Sequence, residues 1–337
     1  MTAFIDPTAP AVAVDVVGLG NALVDVVSQE SDAFLEKFSM AKGGMQLVDT
    51  ERAEAIYDAM APVSMVSGGS AANTIAGIAS FGGSTAFIGA VADDELGTVY
   101  THNLDSLGVH TALSVRTGAD PTGRCLVIVT PDAERTMNTY LGASSQFGPE
   151  DVDPALVASA RVTYLEGFLW DQPPAKAAFR RAAQIARDAG REVALSLSDP
   201  FCVERHRDSF LELIETQVDL LFANEAEITA LYRTDILTDA FDRVRQHVRV
   251  TAVTLGAAGA AVITADSVEL VAAHPVDHVL DTNGAGDAYA AGFLYGYTQG
   301  HSPTTCSRLG AVASAEVISR LGARAQRSLA DLATTVL

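Results

Sequence analysis

Two spacings of apolar residues recur in this chain and divide it into elements. Short unbroken apolar runs at residues 12–19, 64–66, 85–91, 162–165, 192–197, 220–222 and 250–255 have the length and content of buried strands. Between them, apolar residues return every three or four positions at 32–38, 51–60, 71–80, 95–107, 175–189, 208–216 and 225–232, the spacing of one helix face. Alternation of strand and helix from residue 161 onward predicts right-handed crossovers and a parallel sheet covered by helices on both faces. After residue 287 the chain reads as mostly helical to residue 320.

A different texture interrupts the first half. Residues 22–27 alternate apolar with polar, as a half-buried strand does. Short β-like runs at 112–116, 124–130 and 135–140 are joined by Gly, Pro and Asp turns with no helix between them, so they are expected to be antiparallel. Strands near Val24 and Gln46 are their expected partners. The predicted architecture is α/β. A doubly wound, mostly parallel sheet with helices on both faces spans residues 11–330, and a small β-sheet lid is drawn from about residues 22–66 and 111–141. Ligands bind at the carboxyl ends of parallel strands, where such a lid would close. Residues 1–10 read as a loose tail.

Composition narrows the function. With 48% hydrophobic and 19% charged residues among 337, the chain can bury a large core and is not disordered. Its net charge of -20 repels nucleic acid and anionic membranes on average, so neither is an expected partner. An anionic ligand such as ATP would need a local electropositive pocket, which a helix N-terminus can supply. Cys125, Cys202 and Cys306 are far apart and form no CxxC pair, against a disulfide scaffold or zinc site and in keeping with a reducing compartment. The first basic side chain is Lys37, no run of 18 apolar residues occurs, and Asp15 and Asp25 interrupt the most apolar N-terminal stretch. A soluble cytoplasmic protein is expected.

Several familiar motifs fail. Gly18-Leu19-Gly20 lacks the third glycine of a dinucleotide fingerprint, since Leu23 stands there. The chain has no Gly-Lys dipeptide for a Walker loop, no Asp-Phe-Gly tripeptide and no HExxH. The most informative stretch is Asp281-Thr282-Asn283-Gly284-Ala285-Gly286-Asp287, between a β-like run at 278–280 and a helical one at 288–299. Small residues at a helix start let unpaired N–H groups approach an anion. A carboxylate there is repelled by phosphate unless it must accept a proton from an attacking hydroxyl. An Asp capping a helix after a glycine turn has the same sequence.

Four further stretches stand at strand-to-helix or strand-to-turn junctions. Gly68-Gly69-Ser70-Ala71-Ala72-Asn73 is a second glycine turn opening a helix; tight packing alone would also explain it. Asn21 and Asp25 follow the first strand, where one carboxylate could accept bonds from both hydroxyls of a cis-diol, though Asp25 also fits a solvent-facing strand position. Asn224 and Glu227 share one helix face and could hold the waters of a Mg²⁺, or simply cap the helix. Thr254-Leu255-Gly256-Ala257-Ala258-Gly259 could turn into a hairpin strand at 260–264 or line a nucleotide.

Taken together these stretches resemble the PfkB (ribokinase-like) family of sugar and nucleoside kinases, over about residues 12–325. Within it the chain is most similar to the adenosine-kinase branch. Gly20, Asn21, Leu23 and Asp25, then Pro121-Thr122-Gly123, the run Ser196-Leu197-Ser198-Asp199-Pro200-Phe201, and Asn283 carry that likeness; Ser196 departs from the Asn of that branch. The resemblance implies an ATP-dependent transfer to the 5′-hydroxyl of a nucleoside, adenosine to AMP, as in purine salvage. A PfkB-type kinase of ribose or fructose is the alternative.

By the same resemblance Asp287 is the base, the backbone of Asn283, Gly284, Ala285 and Gly286 is the anion hole, and Arg135 swings from the lid onto the transferring phosphate. Asn21, Asp25, Gly68, Gly69, Asn73 and Phe168 would hold the substrate, with Phe168 beside the purine. Thr254, Gly256 and Gly259 would lie against ATP, and Asn224 and Glu227 would position Mg²⁺ through water. Members of the family often need K⁺, for which the loop near Asp281, Asn283 and Gly322 is the candidate site. The family's lids either stay single or pair, so the implied state is a monomer or a lid-mediated homodimer.

Overall fold

Strand β1 (Val14–Leu19) is sandwiched between two parallel neighbours, β5 (Thr85–Ala92) and β9 (Ala160–Glu166), with Val17 opposite both Ala86 and Thr163. The computed structural model describes residues 13–118, 120–132 and 134–337; the expected tail at 1–10 and the first residues of the expected strand at 12–19 lie outside the described residues. From β9 the sheet continues through β10 (Glu192–Ser196), β11 (Leu220–Asn224) and β12 (Val250–Thr254), all parallel. Two antiparallel strands, β13 (Ala260–Thr264) and β14 (Val268–Val271), close that edge. Beyond β5 the other edge is β6 (Val109–Arg116), giving nine strands among the described residues. A second sheet has five strands: β3 (Met45–Leu47), β8 (Arg135–Gly142), β7 (Thr122–Val129), β2 (Leu23–Gln29) and β4 (Pro62–Gly68), in that order.

Helices, including the short α5 (Pro154–Ser159) before β9 and α9 (Leu237–Val244) before β12, cover both faces of the large sheet because its strands are apolar on both sides. On one face Val17, Leu19 and Leu195 pack with Phe179 of α6 (Pro173–Asp188) and Phe210 of α7 (Pro200–Gln217) around Trp170. On the other, Val16, Phe87, Tyr164 and Phe222 meet Ile75 of α3 (Ser70–Ser80) and Phe293 of α10 (Ala285–Thr298). Phe222 sits edge-on to both Tyr164 and Phe293, with ring centroids 6.2 and 5.4 Å away. Full burial of each such side chain stabilises the fold by about 1.5–3 kcal/mol. The small sheet is backed by α1 (Asp32–Lys37) and α2 (Thr50–Ala59), which contribute Leu35 and Ile56.

Three expectations need correction. The run at 112–116 is not an antiparallel lid strand; it is part of β6, parallel to β5 at the edge of the large sheet. Helix α4 (Glu95–Ser106) lies between β5 and β6 and makes them a crossover pair, which the polar, half-exposed edge strand disguises. Of the other two runs, β7 and β8 are antiparallel to each other, but β7 runs parallel to β2 and β8 parallel to β3. The β-like run at 278–280 forms no strand: Val279 and Leu280 are more than half exposed, and Leu280 N–H bonds to the Ile318 carbonyl. The turn at Gly256 and Gly259 makes the β12–β13 hairpin. His206-Arg207-Asp208, a tripeptide shared with protein-kinase catalytic loops, lies inside α7, which breaks at His206.

Candidate active site

The carboxyl ends of β1, β9 and β11 meet the amino ends of α3, α8 (Glu225–Tyr232) and α10. The chain enters α10 through Gly284, at φ +75°, where a Cβ would also lie 2.3 Å from the Ala323 carbonyl oxygen. Only glycine makes that turn without strain. Outside its own helix, nothing among the described residues lies within 4 Å of a Cβ built on Gly286, so the first turn of α10 opens onto free space. Its N–H groups have no acceptor inside the helix and present the positive end of the helix dipole there.

Asp287 stands in that first turn, partly open to the cleft and enclosed by protein elsewhere. Ser70 Oγ donates to Oδ1 at 2.6 Å and Asn73 Nδ2 to Oδ2 at 3.0 Å. Burial pushes the carboxyl up to about 6, against the two hydrogen bonds and the Arg324 charge, which pull it down. A carboxylate poised near neutrality with two fixed donors suits a general base.

A second carboxyl, Asp25 on β2, is also raised by burial to about 6; Arg324 and Arg135 draw it down and Asp287 pushes it up. Gly68 leaves it room, since a Cβ at Gly68 would lie 2.2 Å from Asp25 Oδ1. The adjoining Gly69, at φ +92°, passes so close to β1 that a Cβ would meet the Asn21 carbonyl at 2.2 Å. Asn21 is buried, and its Oδ1 has no hydrogen-bond partner among the described residues.

Glu166 ties these pieces together. Its Oε1 accepts from Asn21 Nδ2 at 2.7 Å and Asn21 N at 3.3 Å, and its Oε2 from Ala71 N at 2.7 Å. It is 1% exposed and raised by burial to about 7. No motif singled it out. The available signal was a lone acidic residue ending an apolar strand at the ligand edge. Arg324, equally absent from the motifs, donates from Nε to Asn73 Oδ1 and from Nη1 to Ser67 Oγ, both at 2.8 Å.

On the far side, Arg135 at the start of β8 reaches across to Asp281, Nη2 to Oδ2, at 3.0 Å. The same carboxylate accepts from Asn283 N at 3.1 Å and Gly322 N at 2.9 Å. The three candidate K⁺ residues are thus brought together, with the Asp281 carboxylate as their hub. A cavity of about 340 Å³ lies between β8 and this loop, lined by Gly43, Arg135, Met137, Leu280 and Asn283 among others. No cluster of three His, Cys, Asp or Glu suited to a metal occurs among the described residues.

Asn224 and Glu227 bond to each other in a reciprocal cap: Glu227 N to Asn224 Oδ1 at 2.8 Å, Asn224 N to Glu227 Oε2 at 2.9 Å, and Asn224 Nδ2 to Glu227 Oε1 at 2.8 Å. Burial raises Glu227 to about 7. Thr254 ends β12 next to Ala223 of β11, and Gly256 is exposed at φ +58°. Phe168, in the turn after β9, is half-buried, whereas Trp170 belongs to the core, stacked on Phe210 at 5.3 Å. Phe201 is 68% exposed at the start of α7.

Known proteins share this fold. The adenosine kinase of Sinorhizobium meliloti superposes with a TM-score of 0.89 at 47% identity, covering 96% of this chain and 99% of that one. A probable sugar kinase from Rhizobium etli CFN 42 gives a TM-score of 0.90 at 45% identity, with 96% and 99% covered. The adenosine kinase of Saccharomyces cerevisiae is 27% identical over 326 residues, 90% of this chain and 94% of that protein. The model of the pfkB family of carbohydrate kinases matches residues 44–329, from the second sheet through α10 to α12 (Leu329–Ala333). On that match, and on the two bacterial relatives of nearly equal length, the chain belongs to the pfkB family of carbohydrate kinases.

Proposed function

We propose that this protein is an ATP-dependent kinase that phosphorylates the 5′-hydroxyl of a nucleoside, with adenosine converted to AMP. The observation that carries it is Asp287, held by Ser70 and Asn73 in the first turn of α10 with open space beside Gly286. A protein that only bound phosphate would be weakened by a carboxylate there. As a base it takes the proton of the acceptor hydroxyl while the Asn283–Gly286 backbone steadies the transferred phosphoryl group. Arg135 Nε is buried with no hydrogen-bond partner among the described residues, a donor available to a phosphate oxygen once Asp281 releases the guanidinium.

Asp25 receives the ribose diol, with Asn21, Gly68, Gly69 and Asn73 around it and Phe168 beside the base. The unpartnered Asn21 Oδ1 supports a polar ligand at that position. Thr254, Gly256 and Gly259 face ATP. The oxygen-bearing Asn224–Glu227 pair fits Mg²⁺ held through water, and the ion would neutralise phosphate charge when bound. Asp281, Asn283 and Gly322 are the K⁺ candidates. The five-stranded sheet acts as the lid, excluding water from the cleft; the protein works as a monomer or as a lid-to-lid dimer. Three buried, unpaired cysteines support a cytoplasmic setting, and no helix among the described residues is long and apolar enough to cross a membrane.

A sugar acceptor is the second reading, favoured by the name of the Rhizobium etli relative. A coupled ADP-release screen across nucleosides and free sugars separates the two.

A further inference from the structure

Arg324 follows α11 (Pro303–Ile318), far from every glycine motif, yet its guanidinium is enclosed among the polar groups of the acceptor pocket. Two of its nitrogens are engaged, Nε with Asn73 Oδ1 and Nη1 with Ser67 Oγ. The third, Nη2, is buried without a hydrogen-bond partner among the described residues. Its charge acts on Asp25, Asp287 and the Tyr100 phenol. An arginine only donates, so binding Asn73 through Oδ1 fixes which end of that amide is left for Asp287. With the amide reversed, an oxygen would face the carboxylate and the bond to Asp287 would be lost.

We propose that Arg324 is the positioning and recognition residue of the acceptor pocket. It locks Asn73 with its amide nitrogen on Asp287, and its free Nη2 donates to a pentose hydroxyl that itself donates to Asp25. This rests on the nucleoside-kinase reading. A hydroxyl bonded to Asp25 keeps a lone pair for Nη2. The guanidinium–carboxylate pair therefore recognises a group that is donor and acceptor at once. A deoxy analogue leaves a buried donor unpaired, which is costly.

The test compares the wild type with Arg324→Met and Arg324→Lys on adenosine, 2′-deoxyadenosine and 3′-deoxyadenosine. KM, kcat and the acid limb of the pH–rate profile are measured, with thermal melting as the check on folding. The groups facing Asp287 are Asp25, Tyr164, Glu166, Glu227 and Arg324, and Arg135 also faces Asp25. Arg324→Met is expected to raise the adenosine KM by about tenfold or more. It should leave the ATP KM within about twofold, erase the preference over at least one deoxy analogue, and move the acid limb to higher pH as the cation is lost. Arg324→Lys should keep the acid limb and not the adenosine KM, because one ammonium cannot reproduce the planar fork.

If Arg324→Met fails to melt cooperatively, Arg324→Lys decides alone through its adenosine KM and deoxy discrimination. An unchanged adenosine KM in a folded variant, or a rise shared equally by ATP, overturns the proposal. Should the wild type act on a sugar and no nucleoside, the functional reading fails separately. The KM and acid-limb shifts are then read on that sugar, where their absence overturns the role of Arg324.

Discussion

The Ser70 hydroxyl donates to the Asp287 carboxylate at 2.6 Å, joining the first turns of α3 and α10 across 217 residues of sequence. Two helix starts are thereby held over one cleft, so the two glycine turns form a single site. If Asp287 is the base, Asp287→Asn keeps this geometry and removes the proton acceptor. Turnover should fall by about 10²–10⁴-fold with melting and ATP binding preserved. A variant keeping more than half of wild-type turnover would remove Asp287 from that role.

Acidity acts in opposite directions on the rate and on the stability contributed by four buried carboxyls. Asp287 must be ionised to act and is raised to about 6, so turnover should drop as pH falls below about 6. Asp25 and Asp287, at about 6, and Glu166 and Glu227, at about 7, all hold protons more tightly folded than unfolded. Their stabilising contribution is complete below the unfolded carboxyl range and is lost as pH rises through 6 to 7. Asp25→Asn should therefore raise the melting temperature at pH 8 in the absence of ligand, and the gain should shrink as pH falls through about 6. A gain that grew on acidification would contradict the sign.

The Asn224–Glu227 pair separates capping from metal positioning. Glu227→Ala removes one half of the reciprocal cap, at a cost of about 1 kcal/mol. If the pair also positions Mg²⁺, the Mg²⁺ concentration for half-maximal rate should rise more than the adenosine KM. In a protein of net charge -20, the cation needed beside ATP cannot come from the average field. Equal Mg²⁺ dependence in variant and wild type would leave Glu227 a helix cap only.

How far the sequence led depended on the range of the determining contacts. The β1, β9, β10, β11 and β12 strands and helices α6 and α8 were legible because each is an apolar run or a helical stripe by itself, whereas the short helix at Leu237–Val244, between β11 and β12, was not read. Strand β6 was not: its half-exposed edge positions look like a lid strand, and only the crossover through α4 places it. The run at 278–280 has strand-forming residues but pairs with no strand among the described residues, and it stays irregular. Asn73 and Asp287 were singled out through local glycine turns, and Asp25 through its place after the first strand. Glu166 and Arg324 act on partners 145 and 251 residues away, a distance no local spacing encodes.

The most direct measurement is the rate of ADP release on adenosine, 2′-deoxyadenosine, ribose and fructose, for the wild type and Asp25→Ala. If Asp25 accepts from both ribose hydroxyls, each charge-assisted bond contributes roughly 1.5–3 kcal/mol. Adenosine should then exceed 2′-deoxyadenosine strongly and the free sugars further still, and Asp25→Ala should lose adenosine affinity and that discrimination together. Faster turnover of ribose or fructose than adenosine, or no phosphorylation of any acceptor, would contradict the nucleoside-kinase account.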